Sequence, residues 1–168
     1  MDCNLTYDEH VTQLTSKCIG SLCQINRVKY LFGRRTLITI INSLVFSKLL
    51  YCSSVWANTT KKNIELLQTV QNFAARIVSG TRECDHVAPI LKQLQWLPIV
   101  KQLEVRDAPM LFKCLNGLAP PYRYQKFKTR SEVHNCNTRN SDRLHISLSR
   151  TAAGQRAFTF RGFRYLTL

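Results

Sequence analysis

The stretch that decides the fold is Lys61-Lys62-Asn63-Ile64-Glu65-Leu66-Leu67-Gln68-Thr69-Val70-Gln71-Asn72-Phe73-Ala74-Ala75-Arg76-Ile77-Val78-Ser79-Gly80. Ile64, Leu67, Val70, Ala74 and Ile77 recur every three or four residues, which places them on one face of a helix. Gly80 is placed to stop that helix, because a residue without a Cβ accepts the left-handed conformation that closes a helix C-terminus. Asn58-Thr59-Thr60 ahead of it is a loop that offers a cap.

Working outward, Thr36 to about Trp56 is apolar nearly all round (Leu37, Ile38, Ile40, Ile41, Leu44, Val45, Leu49, Leu50). That pattern predicts one continuous helix in the centre of a bundle. It is not read as a membrane span, because Lys48, Asn42 and several Ser and Thr interrupt it, and a span needs about 20 mostly apolar residues. Asp8 to Leu31 reads as the first helix. Val11, Leu14, Cys18, Leu22, Ile25 and Val28 share a face, Asp8 is placed as the cap, and Gly20 weakens the middle. Phe32-Gly33-Arg34-Arg35 breaks it.

Downstream, a short helix is predicted over Val87–Leu94, with Asp85 at its cap and Pro89 in its first turn. Trp96-Leu97-Pro98 makes a corner, and a fifth helix runs from about Pro98 to Leu115 and stops at Asn116-Gly117. Pro109 lies inside it. A proline there removes a backbone donor and crowds the previous turn, at roughly 3 kcal/mol or more, so a kink or break is predicted. After Pro120-Pro121 polar and basic residues dominate. The alternation Leu144, Ile146, Leu148 and the triplet Phe158-Thr159-Phe160 predict short strands, paired as a β-hairpin. The fold class is therefore mainly α: a bundle of four to five helices over 1–121, and a basic, partly irregular extension over 122–168.

The chain carries 24 Lys and Arg against 10 Asp and Glu, a net charge of +14, and such an excess predicts attraction to polyanions. From Tyr122 to Leu168 there are ten bases and two acids, so the extension is the densest region. There Arg156, Arg161 and Arg164 interleave with Phe158, Phe160, Phe163 and Tyr165. Arginine forks suit phosphate and aromatic faces stack on bases. The same aromatics serve equally as packing for a small subdomain. Arg139, Arg156, Arg161 and Arg164 are the candidate nucleic-acid-binding residues.

No catalytic residue is assigned. Two-metal nucleotide transfer needs clustered carboxylates, and the only adjacent acids, Asp8-Glu9, open a helix. The six glycines are isolated, so none forms a phosphate-cradling loop. Cys84-Asp85-His86 and His134-Asn135-Cys136 pair Cys with His across one residue, tighter than the usual zinc knuckle, so no metal and no cofactor is expected. Seven cysteines, odd in number and irregular in spacing, predict reduced apolar fillers in an intracellular compartment, nuclear or cytoplasmic. Met1 leads into Asp2-Cys3-Asn4 with no apolar run, so no secretory signal is expected.

Read as strings, several segments carry a resemblance. They are Asn4-Leu5-Thr6-Tyr7-Asp8-Glu9-His10-Val11, Leu50-Tyr51-Cys52-Ser53-Ser54-Val55-Trp56 and Leu67 through Val78. They continue with Leu94-Gln95-Trp96-Leu97-Pro98, Arg106-Asp107-Ala108 and Phe112-Lys113-Cys114-Leu115-Asn116-Gly117-Leu118-Ala119-Pro120-Pro121-Tyr122. The last are Thr138-Arg139-Asn140 and Gly154-Gln155-Arg156. Together and in this order they resemble the region downstream of the palm in reverse transcriptases of LINE-type (non-LTR) retrotransposons, of the jockey-like and chicken-repeat-like kind.

The resemblance implies a helical thumb over 1–121 and a C-terminal extension, which together help such RNA-directed DNA polymerases to grip template and primer. It implies that the palm, with its catalytic aspartates, is absent, so the isolated chain is not an enzyme. RNA or DNA is the implied partner; no membrane is. The second and fifth helices should present apolar faces that the palm covers, so self-association is expected of the isolated chain. Two departures stand out. Pro109 falls where the family pattern is an uninterrupted helix, and Leu166-Thr167 replace a Trp-Asn pair. They imply an alternative, a decayed element copy; a helical interaction module with no nucleic-acid role is the other, which an intact fifth helix without Pro109 would have favoured.

Overall fold

The computed structural model describes residues 6–82, 84–134, 139–145 and 148–166, with side chains as far as Gly162. Its elements are helical, as the composition and periodicity lead one to expect. The chain divides into two compact units, Met1–Leu103 and Glu104–Leu168.

In the first unit, α1 spans Asp8–Val28 and ends in a 3-10 turn, Lys29–Leu31. Asp8 and Glu9 lie in its first turn and Arg27 in its last, each favourable to the helix dipole. The cap differs from expectation. Tyr7, in a left-handed conformation, holds the N-cap position, and Asp8 is already helical. The Asp8 carboxylate instead accepts from the Thr6 hydroxyl at 2.9 Å and from Asn63 Nδ2 at 2.6 Å. It therefore ties the start of α1 to α5 (Lys61–Ser79) rather than closing its own helix.

The second helical region is not one helix. It comprises α2 (Arg34–Ile41), a π-helical turn (Asn42–Phe46), α3 (Ser47–Leu49), and α4 (Ser53–Trp56) beyond a left-handed Cys52. The pattern explains the π turn. Leu37, Ile41, Val45 and Leu49 are all buried, each four residues from the last. On an α-helix of 3.6 residues per turn, such a row drifts by about 40° at every step. The wider π turn takes up the drift and returns the row to the core.

α5 ends as expected: Gly80 is left-handed, and its N–H donates to the Arg76 carbonyl at 2.8 Å. The main core is one cluster, beside a small second one of Ala75, Ile90 and Leu91. Val11, Cys18, Leu22 and Ile25 of α1 meet Leu67, Val70, Ala74 and Ile77 of α5 and the buried row of the second region, with Trp56 closing one end. A buried polar pair on α5 shapes the next corner. Gln71 Nε2 donates to the Leu97 carbonyl at 2.8 Å, and Gln68 Oε1 accepts from the Ile99 N–H at 3.0 Å. That second bond satisfies an amide at the start of α7 (Ile99–Leu115), where no helical partner exists. Between them α6 covers Val87–Gln93, with His86 at its N-cap. Asp85 does not cap it; its carboxylate accepts from the Arg82 N–H at 3.0 Å.

α7 stays helical through Pro109, so of the kink or break expected there the break does not occur. Pro109 lies on the exposed side of the helix. Helices bow outward on that side and their carbonyls tilt toward water, which makes room for a ring and a missing bond. Ile99 and Leu103 belong to the first unit's core, and Asp107, Leu111 and Cys114 are buried in the second unit.

The second unit continues with α8 (Pro121–Tyr124), α9 (Arg130–Val133), α10 (Ala152–Gln155) and α11 (Phe158–Leu166). The expected strand at Phe158–Phe160 is helix, because Phe158, Arg161 and Gly162 serve a helical face. At the other expected strand, Leu144 makes a single antiparallel bridge with Thr129, and Ile146 lies outside the described residues. Among the described residues no strand extends past that bridge, and no helix is long and apolar enough to cross a membrane.

Candidate nucleic-acid interface

The second unit is organised around Asp107. Its carboxylate is 1% exposed and lies 3.2 Å from Arg161 Nη1, itself 16% exposed. Asp107 and Leu111 are one turn apart on α7, and α11 meets them with Arg161 and Gly162. A Cβ at position 162 would come within 2.9 Å of Leu111 Cδ1, so glycine permits the close approach. Phe158, one turn earlier on α11, packs edge-to-face on Phe127 with ring centroids 6.2 Å apart. A buried carboxylate must be paired, and the guanidinium does this as well as holding α11 in place.

Ahead of α11, the strand-like bridge and a capping box order the loop. The Arg130 N–H donates to the Arg143 carbonyl at 2.8 Å and the His145 N–H to the Lys128 carbonyl at 2.7 Å. The Thr129 N–H donates to the Glu132 carboxylate at 3.1 Å, the return half of the box at the start of α9. These bonds shape a cleft of about 360 Å³ lined by Gln125, Lys126, Lys128, His145 and Thr159. No carboxylate is among its described lining residues. Two ammonium groups and an imidazole in one recess suit a phosphate.

The arginines singled out from the sequence take three different situations. Arg139 is exposed on the turn at 139–142. Arg156 is half-buried at the C-cap of α10, a helix whose N-cap hydroxyl, Thr151 Oγ1, accepts from the Gly154 N–H at 3.1 Å. Arg161 is engaged with Asp107. Arg164 lies on α11, and its side chain falls outside the described residues, as do those of Phe163 and Tyr165. Of the interleaved aromatics, Phe158 serves packing. The lysines of the cleft were missed in the sequence because Lys126 and Lys128 are separated by Phe127 in an irregular stretch, and only the backbone pairing to His145 turns them into one wall.

Among the described residues no group of three or more His, Cys, Asp and Glu side chains stands close enough to hold a metal ion. His134 and His145 approach with ring centroids 5.6 Å apart, and Cys136 lies outside the described residues. Cys18, Cys23, Cys52, Cys84 and Cys114 are free thiols. Burial pushes the Cys18 and Cys114 thiols up, against the opposing pull of Lys48 and Arg123 respectively. The chain matches no family model, no curated protein and no solved structure.

Proposed function

We propose that this chain is a non-catalytic piece of a LINE-type reverse transcriptase, its thumb and following extension, and that its task is to grip template–primer nucleic acid. The observation that carries the reading is the ordered run of segments from Asn4-Leu5-Thr6-Tyr7 to Gly154-Gln155-Arg156, which covers nearly the whole chain. A net charge of +14 and the carboxylate-free cleft at Lys126 and Lys128 support it physically. On this reading Arg139, Arg156 and the cleft lysines meet phosphates. Arg161 acts through Asp107 by fixing α11.

The test is binding of the full chain to a labelled RNA–DNA primer–template across a salt series. Affinity should fall steeply with salt. Arg139→Ala and Arg156→Ala should each flatten the slope of log affinity against log salt by about 0.9. A folded chain that binds nothing at low salt would sink the reading.

A second reading draws on the exposed apolar side chains of the second and fifth helical regions, among them Leu44, Val55, Val105 and Phe112. A helical module that docks a protein surface, or a second copy of itself, would use such faces. Sedimentation that stays monomeric over a wide concentration range removes the self-association arm.

A further inference from the structure

The first unit carries a charge feature of its own. Between Glu9 and Glu65 the sequence holds eight Lys or Arg and no Asp or Glu. The structure folds this interval into a groove of about 640 Å³. His10, Lys17, Ser21 and Gln24 of α1 line one side, and Lys48 and Tyr51 the other. No carboxylate is among the described lining residues. The π turn leads into α3, which carries Lys48, and π turns are frequent at functional sites.

His10, Leu14, Lys17, Ser21 and Gln24 follow a three–four spacing, and the same spacing continues to Val28 and Leu31. Those residues begin the corner between α1 and α2, where Tyr30 is 86% and Leu31 79% exposed and Phe32 is exposed beside them. Arg27, Lys29, Arg34 and Arg35 flank the corner, and Lys29 Nζ stands 5.3 Å from the Tyr30 ring centroid. The groove face thus presents Lys17 and Lys48 with Tyr51 beside them, and the basic, aromatic corner begins where α1 stops.

We propose that this face binds a single nucleic-acid strand. Lys17 and Lys48 would hold its phosphates in the groove, and Tyr51 would stack on an unpaired base at the rim. The inference rests on the nucleic-acid reading above and adds to it a second site, with a preference for unpaired strands. Alternating cations and exposed rings suit a polyanion whose bases are free to stack. A duplex hides its base faces. An anionic bilayer matches the apolar corner, but a flat surface does not enter a recess lined by Lys17, Ser21, Gln24 and Lys48.

The experiment uses the full chain and three probes: a labelled oligouridylate of about 12 nucleotides, an RNA–DNA duplex, and phosphatidylserine-containing vesicles. Tyr51→Ala should weaken single-strand binding about tenfold and leave duplex binding within about twofold, whereas Tyr30→Ala, outside the groove, should change neither by more than about twofold. Lys17→Ala and Lys48→Ala should each lower the single-strand salt slope by about 0.7. Tyr51→Phe keeps the ring and should keep the affinity, which guards against reading a folding defect as lost binding. Single-strand binding that ignores these substitutions but falls with Arg139→Ala and Arg156→Ala overturns the groove and leaves the template–primer reading standing. Single-strand binding through the groove with no duplex binding does the reverse. Vesicle binding lost in Tyr30→Ala, with no oligouridylate bound, overturns the groove in favour of a lipid surface.

Discussion

In the first unit the side chains wholly withdrawn from water are Leu22, Ile41, Leu49, Leu67 and their neighbours. In the second, the most deeply buried described side chain is the carboxylate of Asp107, and Leu111, Cys114 and Ala119 are its buried apolar company. The first unit is held by a non-directional force spread over many residues. The second, among its described residues, has the directional contact of Asp107 with Arg161 and local turns, while Leu118, Tyr122 and Leu148 remain in water. Loss of one group should therefore be partial and distributed in the first unit, and focused in the second. Local opening should favour the second unit at lower free energy.

The largest effect tests the first half of that contrast. Leu67→Ala should lower unfolding free energy by about 2–5 kcal/mol in a urea titration, the range for a large aliphatic removed from a close-packed core. A loss under about 1 kcal/mol would mean the cluster collapses around the gap and is not closely packed.

Arg161→Met tests the other half. It leaves Asp107 buried without its cation and should cost about 3 kcal/mol. Hydrogen exchange should quicken in α11 and the second half of α7 and stay unchanged in α1 and α5. Adding Asp107→Leu to that variant should recover much of the loss, because the damage is the stranded charge. If the double variant is no better than the single, the pair is not what organises the unit.

Gln71→Leu probes a polar exception inside the apolar core. It removes the donor to the Leu97 carbonyl and the acceptor of Gln68 Nε2, and should cost about 1–3 kcal/mol by thermal unfolding. An unchanged melting temperature would show that water replaces both bonds.

The smallest effect is alkaline and touches both units. Burial raises the Cys18 and Cys114 thiols above their ordinary value of 9.0. Stability from keeping them protonated is complete below that ordinary value and is lost as pH rises through the folded values. Cys18→Ala should remove the first unit's share of that alkaline decline. Below pH 8, alkylation followed by mass spectrometry should label Cys23, Cys52 and Cys84 before Cys18 and Cys114.

The long helices were legible because their stripes are long: Val11 to Ile25 on α1 and Ile64 to Ile77 on α5 repeat often enough to fix period and face. The division of the second region was not legible, because a segment apolar on all sides gives no phase from which to detect a π turn. Asp8 and Asp85 sit where caps belong, yet each found a better partner: Asn63 Nδ2, which only the folded chain brings within reach, and the Arg82 amide, three residues back in a local turn. The same holds for the candidate site. Arg161 looks like a free cation beside Phe160 and Gly162, and nothing local announces that Asp107 will claim it.

The π turn at Asn42–Phe46 bears on chain length as well as on shape. With one residue fewer there, the buried row would space by four, three and four, the ordinary rhythm of an α-helix, and both flanks would still face the core. The turn thus accommodates one residue more than the α-helical rhythm needs. Deleting the exposed Asn42 would straighten the helix and leave its register intact, whereas the same deletion in α5 would turn every later residue of that helix by about 100°.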